Sequence, residues 1–207
     1  MDISLTDAGK KFYREWIFRH ANITFSGNQK TVIIGPNGSG KSTLLQVIAG
    51  ATTLSEGALS YWFSGKQIDD ENIYKEISFA APYLELIEEF TLKEMISFHR
   101  KMKPAVNNMS VEEMIDVTGL SLKSNSIIKF FSSGMKQRVK LVLAILTDTP
   151  VLLLDEPCSN LDNDGVSWYK TIIDKYASNR LVIVASNEHE EEYFFCQSKL
   201  LMSDFKT

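Results

Sequence analysis

The residues with the clearest chemical potential lie between positions 35 and 42, where three glycines precede a lysine. In order they are Gly35, Pro36, Asn37, Gly38, Ser39, Gly40, Lys41 and Ser42. This run matches the phosphate-binding pattern G-x-x-x-x-G-K-[ST] in full. Glycines let a backbone curl around a phosphate, so that its amide groups and the N-terminus of a following helix face the anion. We therefore predict a nucleotide phosphate site that includes Thr43, with Lys41 on the outer phosphates and Ser42 as a Mg²⁺ ligand.

A second chemical feature is a pair of carboxylates, Asp155 and Glu156, which follows the apolar run 151–154. In a parallel sheet the carboxyl ends of the strands share one edge, so these carboxylates would lie beside the phosphate loop. There Asp155 would hold Mg²⁺, and Glu156 would polarise the water that attacks a phosphate. A strand that merely ends in a polar loop would give the same residues, but the full phosphate motif favours the catalytic interpretation.

The rest of the chain alternates between strand-like and helix-like patterns, which is typical of a mainly parallel sheet covered by helices. The β-branched run 31–34 precedes the phosphate loop, and helical spacing of apolar residues follows it up to Gly50. Short apolar runs in the first 30 residues predict antiparallel strands. We expect an α/β fold: a phosphate-loop NTPase core with an N-terminal antiparallel β subdomain.

A helical subdomain is predicted as an insertion at about residues 86–134. Two capping boxes carry this prediction, Thr91 with Glu94 and Ser110 with Glu113, because each is followed by an amphipathic pattern. The whole chain, 1–207, is expected to form a single ATP-binding domain.

Composition excludes several other classes of protein. The chain has 207 residues, 44% of them hydrophobic, and a net charge of −4, so it can bury a core and lacks a basic footprint for nucleic acid. Apolar runs are too short for a membrane span, and the N-terminus does not resemble a signal peptide. Cys158 and Cys196 have no metal-binding spacing and are expected to be unpaired thiols.

Two further segments give the chain a family resemblance. The signature-like run 131–138 (FSSGMKQR) and the segment 159–162 (SNLD) occur in the order found in ATP-binding cassette (ABC) transporter subunits. The resemblance implies a head-to-tail homodimer, in which Ser132, Ser133 and Gly134 face the γ-phosphate bound to the other subunit. Simple capping of the following helix by the same residues is compatible with that role. The usual L-S-G-G-Q is F-S-S-G-M here, which could loosen the contact.

The chain departs from the family pattern at two other places. The loop after the strand at 76–81 contains no glutamine, and Pro82 is the best match to its position, with Glu85 expected to be a solvated carboxylate. Asn187 stands where the family has its switch histidine, and it can hydrogen-bond a γ-phosphate but cannot carry a proton. His189 is expected to be an ordinary surface residue at a helix start.

The family also implies an aromatic residue that stacks on adenine. Phe12 and Tyr13 lie where it is expected, with Trp16 nearby, although all three could instead pack within the strands.

The phosphate loop and the carboxylate pair predict ATP hydrolysis with Mg²⁺, and the family resemblance implies a subunit that powers a separate transmembrane permease, at the inner face of the cell membrane in the cytoplasm. Leu84, Leu86, Ile87 and Phe90 are candidate permease contacts. The alternatives are a soluble ABC-type ATPase without a transporter and a weakly catalytic, ATP-dependent binding module. No nucleic-acid partner is expected.

Overall fold

Nine β-strands and six α-helices form the part of the chain that the computed structural model describes, residues 1–206. The strands are β1 (Asp2–Phe12), β2 (Glu15–Phe25), β3 (Lys30–Ile34), β4 (Glu56–Phe63), β5 (Lys66–Ile68), β6 (Ile77–Ala80), β7 (Val151–Asp155), β8 (Leu181–Ser186) and β9 (Ser198–Leu201). The α-helices are α1 (Lys41–Ile48), α2 (Leu92–Met102), α3 (Val111–Thr118), α4 (Ser133–Ile145), α5 (Asn163–Tyr176) and α6 (Glu190–Tyr193). Short 3₁₀ helices lie at Asp70–Lys75, Val106–Asn108, Ser121–Lys123, Ile128–Phe130 and Met202–Phe205.

The central sheet has five parallel strands in the order β6-β7-β8-β3-β9. Strands β3, β7 and β8 are neighbours, so their carboxyl ends meet at one edge. The phosphate loop leaves β3 at this edge, the two carboxylates end β7, and Asn187 follows β8. The strand order therefore brings three distant segments of the sequence together.

Side chains alternate between two apolar cores on the two faces of this sheet. On β7, Leu152 and Leu154 face the core built with α2, α3, α4 and α5, whereas Val151 and Leu153 face the core shared with α1. All four side chains are fully buried. This explains the unbroken apolar run before Asp155, since a strand covered on both faces needs no polar side.

The antiparallel subdomain is a four-stranded sheet in the order β2-β1-β4-β5. It is larger than the sequence suggests from its first 30 residues, because β4 and β5 follow α1 and join it. Tyr61 of β4 fixes this sheet to the core: its buried hydroxyl donates to the Ile48 carbonyl at 3.0 Å. This bond holds the antiparallel sheet against the C-terminal end of α1, the helix that begins at Lys41.

The helical segment lies between β6 and β7, as the sequence predicts. Both capping boxes are present: the Glu94 carboxylate accepts the Thr91 amide at 2.8 Å, and Ser110 and Glu113 repeat the arrangement. Its apolar face packs into the core that also contains α4. Across residues 1–206, none of the helices combines the length and the apolar character needed to cross a lipid bilayer. These findings confirm the α/β fold class, whereas the domain limits remain a prediction.

Candidate functional site

The phosphate loop connects the end of β3 at Ile34 to the start of α1 at Lys41. Gly38 and Gly40 have φ angles of +76° and +101°, which side chains with a Cβ rarely adopt. A Cβ at Gly40 would also lie 2.4 Å from Cγ2 of Ile17. Only glycine fits there, so the loop presents its backbone to a ligand, as a phosphate cradle requires.

Lys41 is buried at the first position of α1, and its ammonium group lies across the loop. Nζ donates to the carbonyls of Gly35 at 2.7 Å and Pro36 at 3.1 Å, and also to Oδ1 of Asn187. Burial lowers the pKa of Lys41, and the carboxylates of Glu156 and Asp155 oppose that decrease. The lysine is therefore held in place before any phosphate arrives.

Asp155, at the end of β7, is almost completely buried, at 1% exposure. Neither carboxylate oxygen has a hydrogen-bond partner among the described residues. Burial raises the pKa of Asp155, while the nearby Ser42 hydroxyl lowers it despite lying outside hydrogen-bond geometry. A buried carboxylate without a partner is costly unless something binds it.

This arrangement fits Mg²⁺. The ion prefers oxygen ligands and is usually held by one or two protein groups, with phosphate oxygens and water completing the shell. Asp155 and Ser42 are such a pair. Among residues 1–206 no cluster of three or more His, Cys, Asp or Glu side chains could hold a metal ion.

Glu156 and Asn187 are brought together above the phosphate loop. Nδ2 of Asn187 donates to Oε1 of Glu156 at 2.8 Å and also to Oδ1 of Asn37. The backbone of Glu156 has a φ of +43°, and its amide donates to the Ala185 carbonyl at 2.9 Å. Asn187 thus contacts the phosphate loop, the lysine and the second carboxylate at once.

The loop after β6 contains a residue that the sequence analysis missed. Tyr83 packs edge-on against Phe79, with ring centroids 6.4 Å apart. Burial raises the pKa of Tyr83 to about 12, and the neighbouring Asp155 carboxylate adds to the increase. Pro82, the best match to the family's glutamine, instead uses its carbonyl to accept Nζ of Lys140 at 2.6 Å, and Glu85 is exposed as expected. The sequence signal that could have indicated Tyr83 is its place just after β6, the strand that pairs with β7.

The signature residues lie at the N-terminus of α4. Ser132 is the N-cap, and its Oγ accepts the Met135 amide at 3.3 Å, so the capping interpretation is correct. Ser132 and Ser133 are exposed, and a Cβ at Gly134 would lie 2.9 Å from the Asn160 carbonyl. Within residues 1–206, Met135 is the only hydrogen-bond partner of the Ser132 side chain. The fold does not join these residues to the phosphate loop of the same chain.

The aromatic candidates lie at the turn between β1 and β2. Phe12 is 46% exposed and Tyr13 is fully exposed. The ammonium of Lys10 lies 4.8 Å from the Phe12 ring centroid, whereas the Trp16 ring is covered by Lys11 and Arg19. Phe12 and Tyr13 thus expose ring surface for stacking, although Lys10 lies over the Phe12 ring, whereas two cations lie over Trp16.

The fold and this site define a phosphate-loop ATPase. A family model described as "ABC transporter" matches residues 18–159, more than half of the chain. The chain therefore belongs to the ABC transporter family, which confirms the resemblance seen in the signature segment. It binds and hydrolyses ATP to power transport, and a soluble ATPase without a transporter is not favoured.

Similar proteins support this placement. The lantibiotic transport ATP-binding protein SrtF of Streptococcus pyogenes is 25% identical, and the match covers 97% of this chain and 89% of the relative. The sulfate/thiosulfate import ATP-binding protein CysA of Mesostigma viride is 28% identical over 93% of this chain and 57% of its own length. The fold matches the dimeric, ADP- and phosphate-bound ATP-binding cassette MJ0796, with a TM-score of 0.80 at 21% identity over 96% and 93% of the two chains.

Proposed function

We propose that this chain is a subunit that hydrolyses Mg²⁺-ATP and drives a separate membrane-spanning permease. The observation that carries the catalytic part is the contact of Asn187 with both Lys41 and Glu156. One amide group thus links the residue that would bind the outer phosphates to the residue that would act on water.

Within this proposal the phosphates lie on the backbone of residues 35–40 and at the N-terminus of α1, with Thr43 in its first turn. Lys41 would exchange its bonds to loop carbonyls for phosphate oxygens, which are stronger partners for a cation. Asp155 and Ser42 would hold Mg²⁺, which shields phosphate charge when bound.

Glu156 is the proposed base that orients water for in-line attack on the γ-phosphate. Its half-buried carboxylate is steered by the Asn187 amide, which donates one hydrogen to it and presents Oδ1 to Lys41. An amide cannot take a proton from the reaction, so Asn187 would orient groups rather than relay protons.

We further propose a homodimer with ATP between the subunits. Ser132, Ser133 and Gly134 are exposed or half-exposed at the N-terminus of α4, where the helix dipole favours an anion. Within residues 1–206 none of the three hydrogen-bonds residues 35–42, and in the proposed dimer a second copy would supply them to the bound phosphates. Phe12 is the proposed adenine platform, with exposed Tyr13 beside it.

The permease would dock at a cleft of about 410 Å³ between the core and the helical segment. Leu84 and Leu86 line it together with His99 and Lys103, and exposed Ile87 lies beside it. Phe90 is half-buried and packs against Phe98, with ring centroids 5.9 Å apart, so part of its ring is already covered. A partly apolar cleft at this position suits an amphipathic helix of the partner. The chain would then work in the cytoplasm at the inner membrane face, without nucleic acid.

The catalytic part is tested by phosphate release from ATP by the purified chain. We expect turnover with Mg²⁺ and none when EDTA removes it. Equal release under both conditions would contradict the assigned metal site, and no release with Mg²⁺ would support the weakly catalytic binding module instead.

The transport part is tested by sedimentation with membranes of the cells that encode the chain. Leu84→Glu should reduce co-sedimentation and leave basal phosphate release unchanged, because Leu84 lines the cleft and not the nucleotide site. Leu122→Glu is the matched control, since Leu122 is fully exposed on the helical segment outside the cleft. Equal sedimentation of both variants with the wild type would contradict docking at the cleft.

A further inference from the structure

Glu192 is a buried carboxylate for which neither the motifs nor the family resemblance provides a role. It belongs to three consecutive glutamates in α6, of which Glu190 and Glu191 are exposed. Glu192 is only 2% exposed. A carboxylate is rarely buried unless it is bonded, so its partners indicate its purpose.

Both carboxylate oxygens accept hydrogen bonds, and the two donors come from different segments. Oε2 accepts the Ser186 hydroxyl at 2.5 Å, and Oε1 accepts the Cys158 amide at 3.2 Å. Ser186 immediately precedes Asn187, and Cys158 lies two residues after Glu156. One side chain therefore bridges the backbones that carry the two proposed catalytic residues.

Further hydrogen bonds hold Glu192 and Ser186 in place. The hydroxyl of fully buried Tyr169, in α5, donates to the Glu192 carbonyl at 2.9 Å. The Ser186 oxygen also accepts the His189 amide at 3.3 Å, which leaves the hydroxyl proton for Glu192. A network in which each group has its partner holds a single geometry better than isolated bonds do.

We propose that Glu192 is a positioning residue that holds Asn187 against Glu156 during ATP hydrolysis. This inference rests on the proposed roles of Asn187 and Glu156. Glu192 contacts neither the nucleotide nor the attacking water, so its effect passes through Ser186 and Cys158. Small displacements of reacting groups slow chemistry without a matching loss of binding.

Steady-state ATP hydrolysis by Glu192→Gln tests the proposal. The carboxamide offers one acceptor oxygen and one N–H donor group in place of two charged acceptors, so the two charge-assisted bonds from Ser186 and Cys158 cannot both be kept. We expect kcat to fall by about tenfold or more, with the KM for ATP within about twofold of the wild type. Glu191→Gln is the matched control, since it removes the same charge from the exposed neighbour and should leave both constants unchanged.

A double-mutant cycle with Asn187→Ala separates positioning from general destabilisation. If Glu192 acts through Asn187, the double variant should be about as slow as Asn187→Ala alone. If the fold-loss in kcat of the double variant equals the product of the two single losses, the proposal is overturned. A Glu192→Gln variant with a raised KM and an unchanged kcat would overturn it as well. If Asn187→Ala alone turns over ATP as fast as the wild type, the proposed role of Asn187 is wrong, and this inference is overturned with it.

Ser186→Ala provides a second variant if Glu192→Gln unfolds at the assay temperature. It removes one oxygen and the Glu192 bond while the Cys158 bond remains. We expect a smaller loss of kcat, again absent in the Asn187→Ala background, and an unchanged kcat would contradict the proposal.

Discussion

The phosphate loop and the signature segment differ in how much of their chemistry is completed within one chain. Lys41 and Ser39 of the loop are buried, and Lys41 has three hydrogen-bond partners before ligand binds. Ser132 and Ser133 are exposed, and within residues 1–206 the Ser132 side chain hydrogen-bonds only to its own helix. In the proposed dimer, each set of phosphates is bound by the phosphate loop of one chain and the signature segment of the other.

The difference explains which departures from the family pattern a chain can tolerate. The loop matches its motif in full, and its two ends are fixed by β3 and α1, with Ser39 and Lys41 buried. The signature differs at Phe131, Ser133 and Met135. Phe131 is buried and Met135 packs against the core, so Ser133 alone is an exposed replacement that disturbs no packing of its own chain. Nucleotide binding should therefore depend on one subunit and hydrolysis on two.

Glu156→Gln should have the largest effect on turnover. Loss of the proposed base predicts a decrease of about 10² to 10⁴-fold in phosphate release, with ATP binding retained. An ATP-bound dimer should accumulate and be visible by gel filtration. Glu85→Gln is the control, because this exposed loop carboxylate is outside the site. Monomer alone in the presence of ATP would count against the two-subunit site.

Lys41→Ala should act on binding itself. Removing charged hydrogen bonds to phosphate predicts a loss of ATP affinity of about 10- to 100-fold by calorimetry. Lys66→Ala, in exposed β5, should bind like the wild type. Unchanged affinity of Lys41→Ala would remove the basis for the phosphate site.

Asp155→Asn should stabilise the free protein while preventing Mg²⁺-dependent turnover. Burial raises the pKa of Asp155, so the folded chain takes up a proton at a pH where the unfolded chain has lost it. The free energy of unfolding of the wild type should then fall as pH rises through that interval. The amide abolishes this dependence and, by removing a buried unpaired charge, should add about 1–3 kcal/mol near neutral pH.

Chemical denaturation between about pH 4 and about pH 8 would measure this dependence of the unfolding free energy on pH. The interval begins near the ordinary carboxyl pKa and extends upward to cover a raised one. Exposed Asp174→Asn is the matched control and should leave the profile unchanged. A variant less stable than the wild type at every pH would show that Asp155 is stabilising in the free protein, contrary to the site described above.

Ser133→Gly should give the smallest change. Restoring the family's glycine removes a side chain that, in the proposed dimer, would face the partner's phosphate, and a single improved hydrogen bond predicts a gain of about two- to tenfold in turnover. ATP affinity of the monomer should not change. A lower turnover would indicate that Ser133 itself contributes to the contact.

Much of the site could be predicted because its parts are local in sequence. The phosphate loop is one contiguous motif, and Asp155 and Glu156 end a strand whose apolar run indicates burial on both faces. Asn187 could be located from the order of motifs. These features depend on backbone geometry and strand order, which the residue pattern reflects directly.

Glu192 could not be predicted, and Tyr83 is indicated only by its place after a strand beside β7, because the contacts of both residues depend on tertiary packing. Glu192 lies in an acidic run that reads as a solvated surface, and only the approach of Ser186 and Cys158 explains its burial. Likewise, the addition of β4 and β5 to the N-terminal sheet depends on Tyr61 packing against α1, which no local pattern shows.

The most direct test of a site shared between two chains is complementation between two inactive variants. Lys41→Ala retains a signature segment, and Ser132→Arg retains a phosphate loop. The arginine stands at an exposed position, where loss of the N-cap bond to Met135 should cost about 1 kcal/mol of stability. Each variant alone should release little phosphate from ATP. Mixed at equal concentration, they should regain activity, because a mixed dimer contains one intact site. A mixture no more active than its components would contradict the shared site.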